Sequence, residues 1–532
     1  MKNKHKKLLF VPLFLLLVAG CTPPAVSDTP PTVESSDTSV IPESSSVEES
    51  ISKTGPGYEG TENYALATTP NPSNRELDHA IDMTALSSIG EQKVLVVPVV
   101  FTDTTEKATP EVHTMINKVF FGQTEETGWE SVASFYHKSS FGKLTLGGEV
   151  LPYFNAPYST VEFGALEVSP TQQIGPGNYW DQTHHLIEDI YETMDAAKLK
   201  EYDQDSDGHV DAFWMVYIAD IKALGTGNDP FWAYKFYWNR VADVEKPTPN
   251  VYAWASYKFA LEGSDFSAEL PDAHTFIHET GHVLSLPDYY DYDGKTAPAG
   301  GIDMMDHNII DHNIYSKYRL NWATPYYVTG HSEITLKPSQ SSGEFILIKD
   351  GWNGHVYDEY LIIEYYTPTG LNKRDSGILG YLTNSSSQSS RGFTVPGVRM
   401  YHVDSRLITK TFSETEPHDL VSTVWSDEIT YDEYSYTAIG PSNTTSRSTS
   451  ETEKLLHLIN AQGKRSVTGN WLKERTNAFD EALFQPGAKI DATNWARYLQ
   501  FSELFNDGTP VGYSISIGEM NAEGVKISIT KY

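Results

Sequence analysis

The densest chemistry in this 532-residue sequence lies in His278-Glu279-Thr280-Gly281-His282, which continues Val283-Leu284-Ser285-Leu286-Pro287-Asp288. His278 and His282 are four apart, so on a helix both imidazoles project from one face, a turn apart. Two imidazoles held this way can each reach one zinc ion at about 2.0–2.1 Å, leaving two tetrahedral positions open. Glu279 is long enough to reach a water there and serve as general base. A third ligand is still needed. No Glu occurs between Glu279 and Glu333, so a glutamate from the next helix is poorly supported. Asp288 follows His282 by six residues, and Leu286-Pro287 favours a turn before it, because the residue before proline is pushed out of the helical region. Asp303 and His307 are the alternative ligands. They fall in Gly300-Gly301-Ile302-Asp303-Met304-Met305-Asp306-His307-Asn308, a stretch that suits a tight turn carrying a methionine beneath the metal.

Taken together, His278 to Asp288 and the Asp303-Met304-Met305 turn resemble the immune inhibitor A-type secreted bacterial metalloproteases. Their pattern is H-E-x-x-H-x-x-G-x-x-D followed by a Met-turn. Ser131 to Leu146 is similar to the same family. The resemblance implies a metzincin-like zinc endopeptidase, with His278, His282 and Asp288 as zinc ligands, Glu279 as base, and Met305, rather than Met304, as the Met-turn residue. One position departs: Ser285 replaces the family's glycine. In the left-handed conformation that glycine allows, a serine costs on the order of 1–2 kcal/mol. For His307 and His312 two roles stay open, hydrogen bonding within the turn or stabilisation of an oxyanion.

Several elements must position these groups. Ala273, Phe276, Ile277, Thr280 and Leu284 recur at helical spacing, and Asp272 is placed to cap that helix. Val94 to Phe101 is a continuous, mostly β-branched apolar run that reads as a buried strand. Ser131 to Leu146 reads as a helix, a glycine turn and a strand. Leu186, Ile187, Ile190, Tyr191 and Met194 stripe a further helix, with His184 and His185 on its polar face. Val251 to Tyr257 reads as a strand lining the cleft, and analogy with metzincin-like enzymes would pair it with an extended substrate. After Pro325 the character changes to short strands at Glu333–Leu336, Phe345–Ile348, Tyr360–Tyr365, Val398–Val403 and Gly512–Ile517. The expected fold is α+β, a metzincin-like protease domain over 61–325 followed by one or two all-β sandwich-like modules over 326–532.

A second motif is Asp203-Gln204-Asp205-Ser206-Asp207-Gly208-His209-Val210-Asp211. Aspartates at first, third and fifth positions, with glycine sixth, match the start of an EF-hand-type loop. Asp203, Asp205, Asp207 and Asp211 are the expected calcium ligands. The twelfth position is Trp214 rather than Glu, so other ligands or waters must complete the shell. Asp291 and Asp293 read instead as a plain Asp-Gly turn.

Met1 to Cys21 reads as a lipoprotein export signal: four lysines, the apolar run Leu8–Val18, then Val18-Ala19-Gly20-Cys21. Cys21 is the single cysteine and the expected lipidation site, so no intrachain disulfide is available. Residues 22–60 form the expected disordered tether; 18 of the 31 residues from Thr22 to Ser52 are Ser, Thr or Pro, too little apolar surface to offset ordering. The formal charge of −32 becomes −36 without the four signal lysines, which argues against a nucleic-acid partner. The sequence therefore points to a lipid-anchored zinc endopeptidase on the outer face of a bacterial cell membrane, acting on extracellular proteins or peptides, with calcium as a second metal. The competing class is a surface adhesin or glycan-binding lipoprotein that retains a protease-like domain.

Overall fold

The computed structural model describes residues 64–66, 86–166, 179–221, 229–238, 241–261, 270–292, 296–377, 392–413, 420–426, 429–430, 434–444, 450, 452–463, 478–499 and 503–532. The expected signal, Cys21, the tether, Asp293 and the loop 384–390 lie outside these residues.

In the first half the strands are β1 (Tyr64–Leu66), β2 (Gly90–Val100), β3 (Leu144–Val150), β4 (Phe154–Asn155), β5 (Phe213–Tyr217), β6 (Tyr234–Tyr237) and β7 (Val251–Ser256). The apolar run expected at Val94 lies in β2, which runs parallel to both β3 and β5. The sheet order is β3-β2-β5-β7-β6, with only β6 antiparallel along that path. Its two faces enter different cores. Val94, Val96 and Val100 pack with Phe276 and Ile277 of the site helix and with Phe135 and Tyr136. Leu95, Val97 and Val99 pack with Leu186, Ile187 and Ile190 of the helix Tyr179–Thr193. Burial on both faces is why β2 reads as a continuous apolar run and not an alternating one.

β7 differs from its expected role. It is hydrogen-bonded to β5 on one side and β6 on the other, so its backbone has no edge to offer a substrate. Ala253 and Ala255 are instead small residues in the core that also holds the site helix.

The Ser131 segment forms as read. Ser131 Oγ accepts from the Ser134 amide (3.1 Å) and Ser134 Oγ from the Ser131 amide (2.9 Å), closing the start of the helix Val132–Ser139. Phe141 and Gly142, at φ of 58° and 76°, then turn the chain into β3.

The second half contains β8 (Thr324–Val328), β9 (Ser332–Leu336), β10 (Glu344–Ile348), β11 (Glu359–Tyr366), β12 (Gly397–Asp404), β13 (Leu407–Phe412), β14 (Leu420–Trp425), β15 (Ser435–Ile439), β16 (Leu456–Ile459), β17 (Lys489–Ile490), β18 (Tyr513–Asn521) and β19 (Gly524–Lys531). One sheet of six runs β1-β8-β10-β11-β12-β16 and one of four runs β17-β18-β19-β9. They face each other through Ile346, Ile348, Leu361, Ile363, Ile515 and Ile527. The outer face of the six-stranded sheet, carrying Phe345, Leu347, Ile362, Tyr401 and Leu458, joins the core that contains the site helix. The six-stranded sheet is thus the middle layer between the four-stranded sheet and the core that contains the site helix. A smaller sheet, β14-β13-β15, stands apart from this sandwich. β1, far upstream in sequence, closes one edge of the middle sheet by pairing with β8.

Gly148 sets the spacing of β3 against β2. At φ of +140° its missing side chain would place a Cβ 2.0 Å from the Val94 carbonyl oxygen. Gly148→Ala must push two paired backbones apart, and the expected loss is about 3 kcal/mol, read as a lower urea midpoint at unchanged m-value.

Candidate metal centre

The site helix spans His274–Val283. Asp272 stands one residue ahead of the cap position and accepts from the His274 amide at 2.8 Å. The expected stripe is buried throughout, at Ala273, Phe276, Ile277, Thr280 and Leu284. Tyr136, from the Ser131 helix, donates its hydroxyl to the Ile277 carbonyl at 2.7 Å and braces the helix from behind.

Beyond Val283 the chain reverses tightly. The Ser285 amide bonds His282 O and the Leu286 amide bonds Gly281 O, both at 2.9 Å. Ser285 takes the left-handed conformation at φ of 79°. The reversal carries Asp288 back to the helix face, where its Oδ1 stands 3.1 Å from His278 Nε2 and 3.2 Å from His282 Nε2. These three residues form one of two groups of potential metal-ligand atoms lying within 4.8 Å of one another among the described residues.

Backbone carbonyls aim both imidazoles. His278 Nδ1 donates to Met304 O at 2.8 Å, and His282 Nδ1 donates to Leu286 O at 2.7 Å. Each Nε2 is then the unprotonated nitrogen and presents its lone pair to the centre. Tyr292 donates its hydroxyl to Asp288 Oδ2 at 2.7 Å, leaving Oδ1 toward the imidazoles. His282 Nε2 and Glu279 Oε2 are buried without a hydrogen-bond partner among the described residues. Burial pushes Glu279 up to about 8, with Asp288 adding and His278 opposing. Two imidazole lone pairs, an ionised carboxylate and an unpartnered glutamate oxygen are a donor set that fits zinc.

The turn beneath is tied by Asp303. Its Oδ1 accepts from the Met305 amide, and its Oδ2 accepts from the amide and the side-chain nitrogen of Asn313, all at 2.8 Å. Both oxygens are occupied in the turn and not turned to the imidazoles. Burial raises this carboxyl to about 7 against those hydrogen bonds. Met305 is fully buried under the site helix: a Cβ at Gly281 would stand 2.5 Å from its sulfur. Met304 contributes the carbonyl that orients His278, so the two methionines divide the work. His307 Nδ1 bonds Asp306 Oδ1 at 2.6 Å within the turn. His312 sits instead among Phe135, Tyr136 and Trp322, with neither ring nitrogen partnered among the described residues. Burial first, then Lys317 and His278, hold it neutral.

In the acidic loop Asp203, Asp205 and Asp211 converge, but Asp207 does not join them. Each of the four accepts a loop amide: Asp207 Oδ1 that of His209 at 2.7 Å, Asp205 Oδ1 that of Asp207 at 3.2 Å, Asp203 Oδ2 that of Gly208 at 3.2 Å and Asp211 Oδ2 that of Gln204 at 3.0 Å. Asp203 Oδ1 and Asp211 Oδ1 are buried and unpartnered among the described residues. Burial, and then the neighbouring aspartates, push Asp211 up to about 7. Asp291 Oδ2 accepts from the Thr296 amide and hydroxyl at 3.0 and 2.9 Å, while the Asp293-Gly294 turn lies outside the described residues. The sequence reading overlooked Tyr136 and Tyr292. Tyr292 was visible as a hydroxyl four residues past Asp288, whereas Tyr136 had no local signal.

A helix-borne H-E-x-x-H brought against a carboxylate by a tight reversal defines a metallopeptidase type of site. Residues 90–309 match the family described as immune inhibitor A peptidase M6, catalytic domain, a metallopeptidase family. The chain is also 23% identical over 183 residues to "Immune inhibitor A" of Bacillus thuringiensis subsp. alesti, covering 31% of this chain and 26% of that protein. It therefore spans about a quarter of that relative's length.

Ser285 is the strained link in the reversal. Ser285→Gly should stabilise the protein by roughly 1 kcal/mol, strain relief outweighing the added freedom of the unfolded chain. Metal content and activity should stay at the parent's level. A lower melting temperature would show that the serine side chain contributes more than its backbone costs.

Proposed function

We propose that this chain is a zinc-dependent endopeptidase acting on extracellular proteins or peptides. The observation that carries the reading is the convergence of His278 Nε2, His282 Nε2 and Asp288 Oδ1 beside the unpartnered Glu279 Oε2. Held by His278, His282 and Asp288, a zinc ion would supply Lewis-acid polarisation of a peptide carbonyl and of the attacking water. Glu279 takes the proton from that water and returns it to the leaving amine. Its Oε2, buried and without a hydrogen-bond partner among the described residues, is open to take up that proton. The carbonyls of Met304 and Leu286 keep the imidazoles aimed throughout.

Calcium is proposed at Asp203, Asp205 and Asp211, supported by the two buried, unpartnered oxygens that face the cluster. Lipid attachment at Cys21 and an extracellular, membrane-anchored location are proposed from the sequence pattern alone. Among the described residues no helix is long and apolar enough to cross a membrane.

Glu279→Gln should keep zinc yet lower protein hydrolysis by at least about a hundredfold, since only the proton carrier is removed. Metal analysis of a His278→Ala, His282→Ala double variant tests the ligands; zinc content equal to the parent's would overturn the site.

Calcium at a hundredfold excess over its Kd should raise stability by about 2.7 kcal/mol. Asp205→Ala should abolish that rise in melting temperature and Asp207→Ala should largely keep it. Equal responses from the two variants would reduce the loop to an acidic turn.

A further inference from the structure

A single carboxylate from the second half of the chain lies against both the start of the site helix and the exit of the methionine turn. Asp375 belongs to the helix Asn372–Gly377 and is fully buried. Its Oδ2 accepts from the Ile310 amide at 2.5 Å and stands 3.4 Å from His274 Nε2. His274 is the first residue of the site helix, and its other ring nitrogen lies 2.5 Å from Asp272 Oδ1. The ring is stacked on Trp129, centroids 4.5 Å apart and planes 13° from parallel. Beside this contact, the Asp311 amide donates to Asn372 Oδ1 at 3.2 Å.

Two features show that Asp375 holds something that would otherwise move. Ile310 sits at φ of 54°, a region β-branched residues avoid, and such a conformation persists only where the surroundings over-determine it. The strained residue's own amide is the one Asp375 accepts. On the other side His274 lies between two carboxylates and against an aromatic face, the surroundings of an imidazolium. Burial alone would lower it, but Asp272 and then Asp375 raise it to about 9. Four residues after His274 comes His278; five before Ile310 comes Met305. Slack between His274 and Ile310 would therefore shift His278 relative to the Met304 carbonyl that aims it.

We propose that Asp375 is a positioning residue whose carboxylate, shared between His274 and the Ile310 amide, fixes the site helix against the turn carrying Met304 and Met305. The proposal rests on reading His278, His282 and Asp288 as the metal ligands. In this arrangement the β-rich half is a working part of the catalytic site.

The test uses the full chain, with Asp375→Asn and Asp375→Ala. Asparagine keeps an acceptor for the Ile310 amide but removes the charge facing His274; alanine removes both. On a short quenched peptide, kcat should fall about tenfold for Asn and about a hundredfold for Ala with KM within about twofold, and zinc should pass to a chelator about tenfold faster. In a His274→Gln background, Asp375→Asn should change kcat less than about threefold, because its partner charge is already gone. A purely structural role would lower activity only in step with the fraction unfolded, and that result overturns the proposal. So does an Asn variant whose kcat and zinc loss both match the parent, which decides the matter even if the Ala variant does not fold. Failure of the metallopeptidase reading is distinguishable, because it appears in the parent: a parent that neither holds zinc nor cleaves the peptide overturns the reading and the proposal with it.

Discussion

Two backbone carbonyls decide where the imidazoles point, and the rest of the site depends on that. Without Met304 O and Leu286 O, the neutral rings of His278 and His282 could present either nitrogen to the centre. A buried N–H left unpaired costs about 1–3 kcal/mol, enough to fix the tautomer once the carbonyls are in place. Both acceptors lie C-terminal to the site helix, one in its reversal and one in the methionine turn. The geometry of the candidate ligands is therefore set by the described residues 284–292 and 296–305 as much as by the helix.

These described residues have few regular elements of their own and are held from outside. The Leu458 amide donates to Pro298 O at 2.8 Å, the Ala478 amide to Gly300 O at 2.7 Å, and Asn443 Nδ2 to Tyr289 O at 2.8 Å. Gly300, at φ of 80°, lets the loop approach this closely; a Cβ there would stand 2.7 Å from Leu458 Cδ2. Within the loop, the Tyr289 amide bonds Met305 O at 2.8 Å, so the segment bearing Asp288 and the turn move as one. The six-stranded sheet provides the platform, with one face in the sandwich and the other in the catalytic core.

The parts legible in the sequence are those whose causes are local. An i, i+4 spacing places His278 and His282, a proline after Leu286 forecasts the reversal, and β11 and β12 are apolar enough to read as strands. The left-handed turn at Ser285 was legible only through the resemblance, from the family glycine that this serine replaces. The parts not legible depend on distant pairing. β1 joining β8, β7 being interior, and Asp375 reaching His274 all cross long stretches of chain, and no periodicity reports them. The exclusion of Asp207 was not legible either, because all four aspartates accept loop amides and spacing alone does not report which of them converge. β11 did carry one unread signal. Its eight residues are all buried, and Glu359-Tyr360-Leu361-Ile362-Ile363-Glu364-Tyr365-Tyr366 lacks the alternation of a sheet with one wet face.

Unpaired buried carboxylates separate ligand sites from structural networks here. Buried phenols such as Tyr217 and Tyr401 also lack partners among the described residues, but a neutral hydroxyl loses far less than a charge does. Glu364 shows how a structural carboxylate is settled, accepting from Arg399 Nε at 2.8 Å and from the Ser339 hydroxyl at 2.6 Å. Asp303 and Asp311 are likewise bonded through both oxygens. Asp375 Oδ1 has no hydrogen bond among the described residues but stands 4.0 Å from Arg374 Nη1. Asp203 Oδ1, Asp211 Oδ1 and Glu279 Oε2 are buried and unpartnered among the described residues; the two aspartates belong to one converging cluster, and Glu279 is next in sequence to His278 of the other. A buried carboxylate oxygen with neither a hydrogen bond nor a cationic side chain beside it is completed by a bound cation or a reacting water.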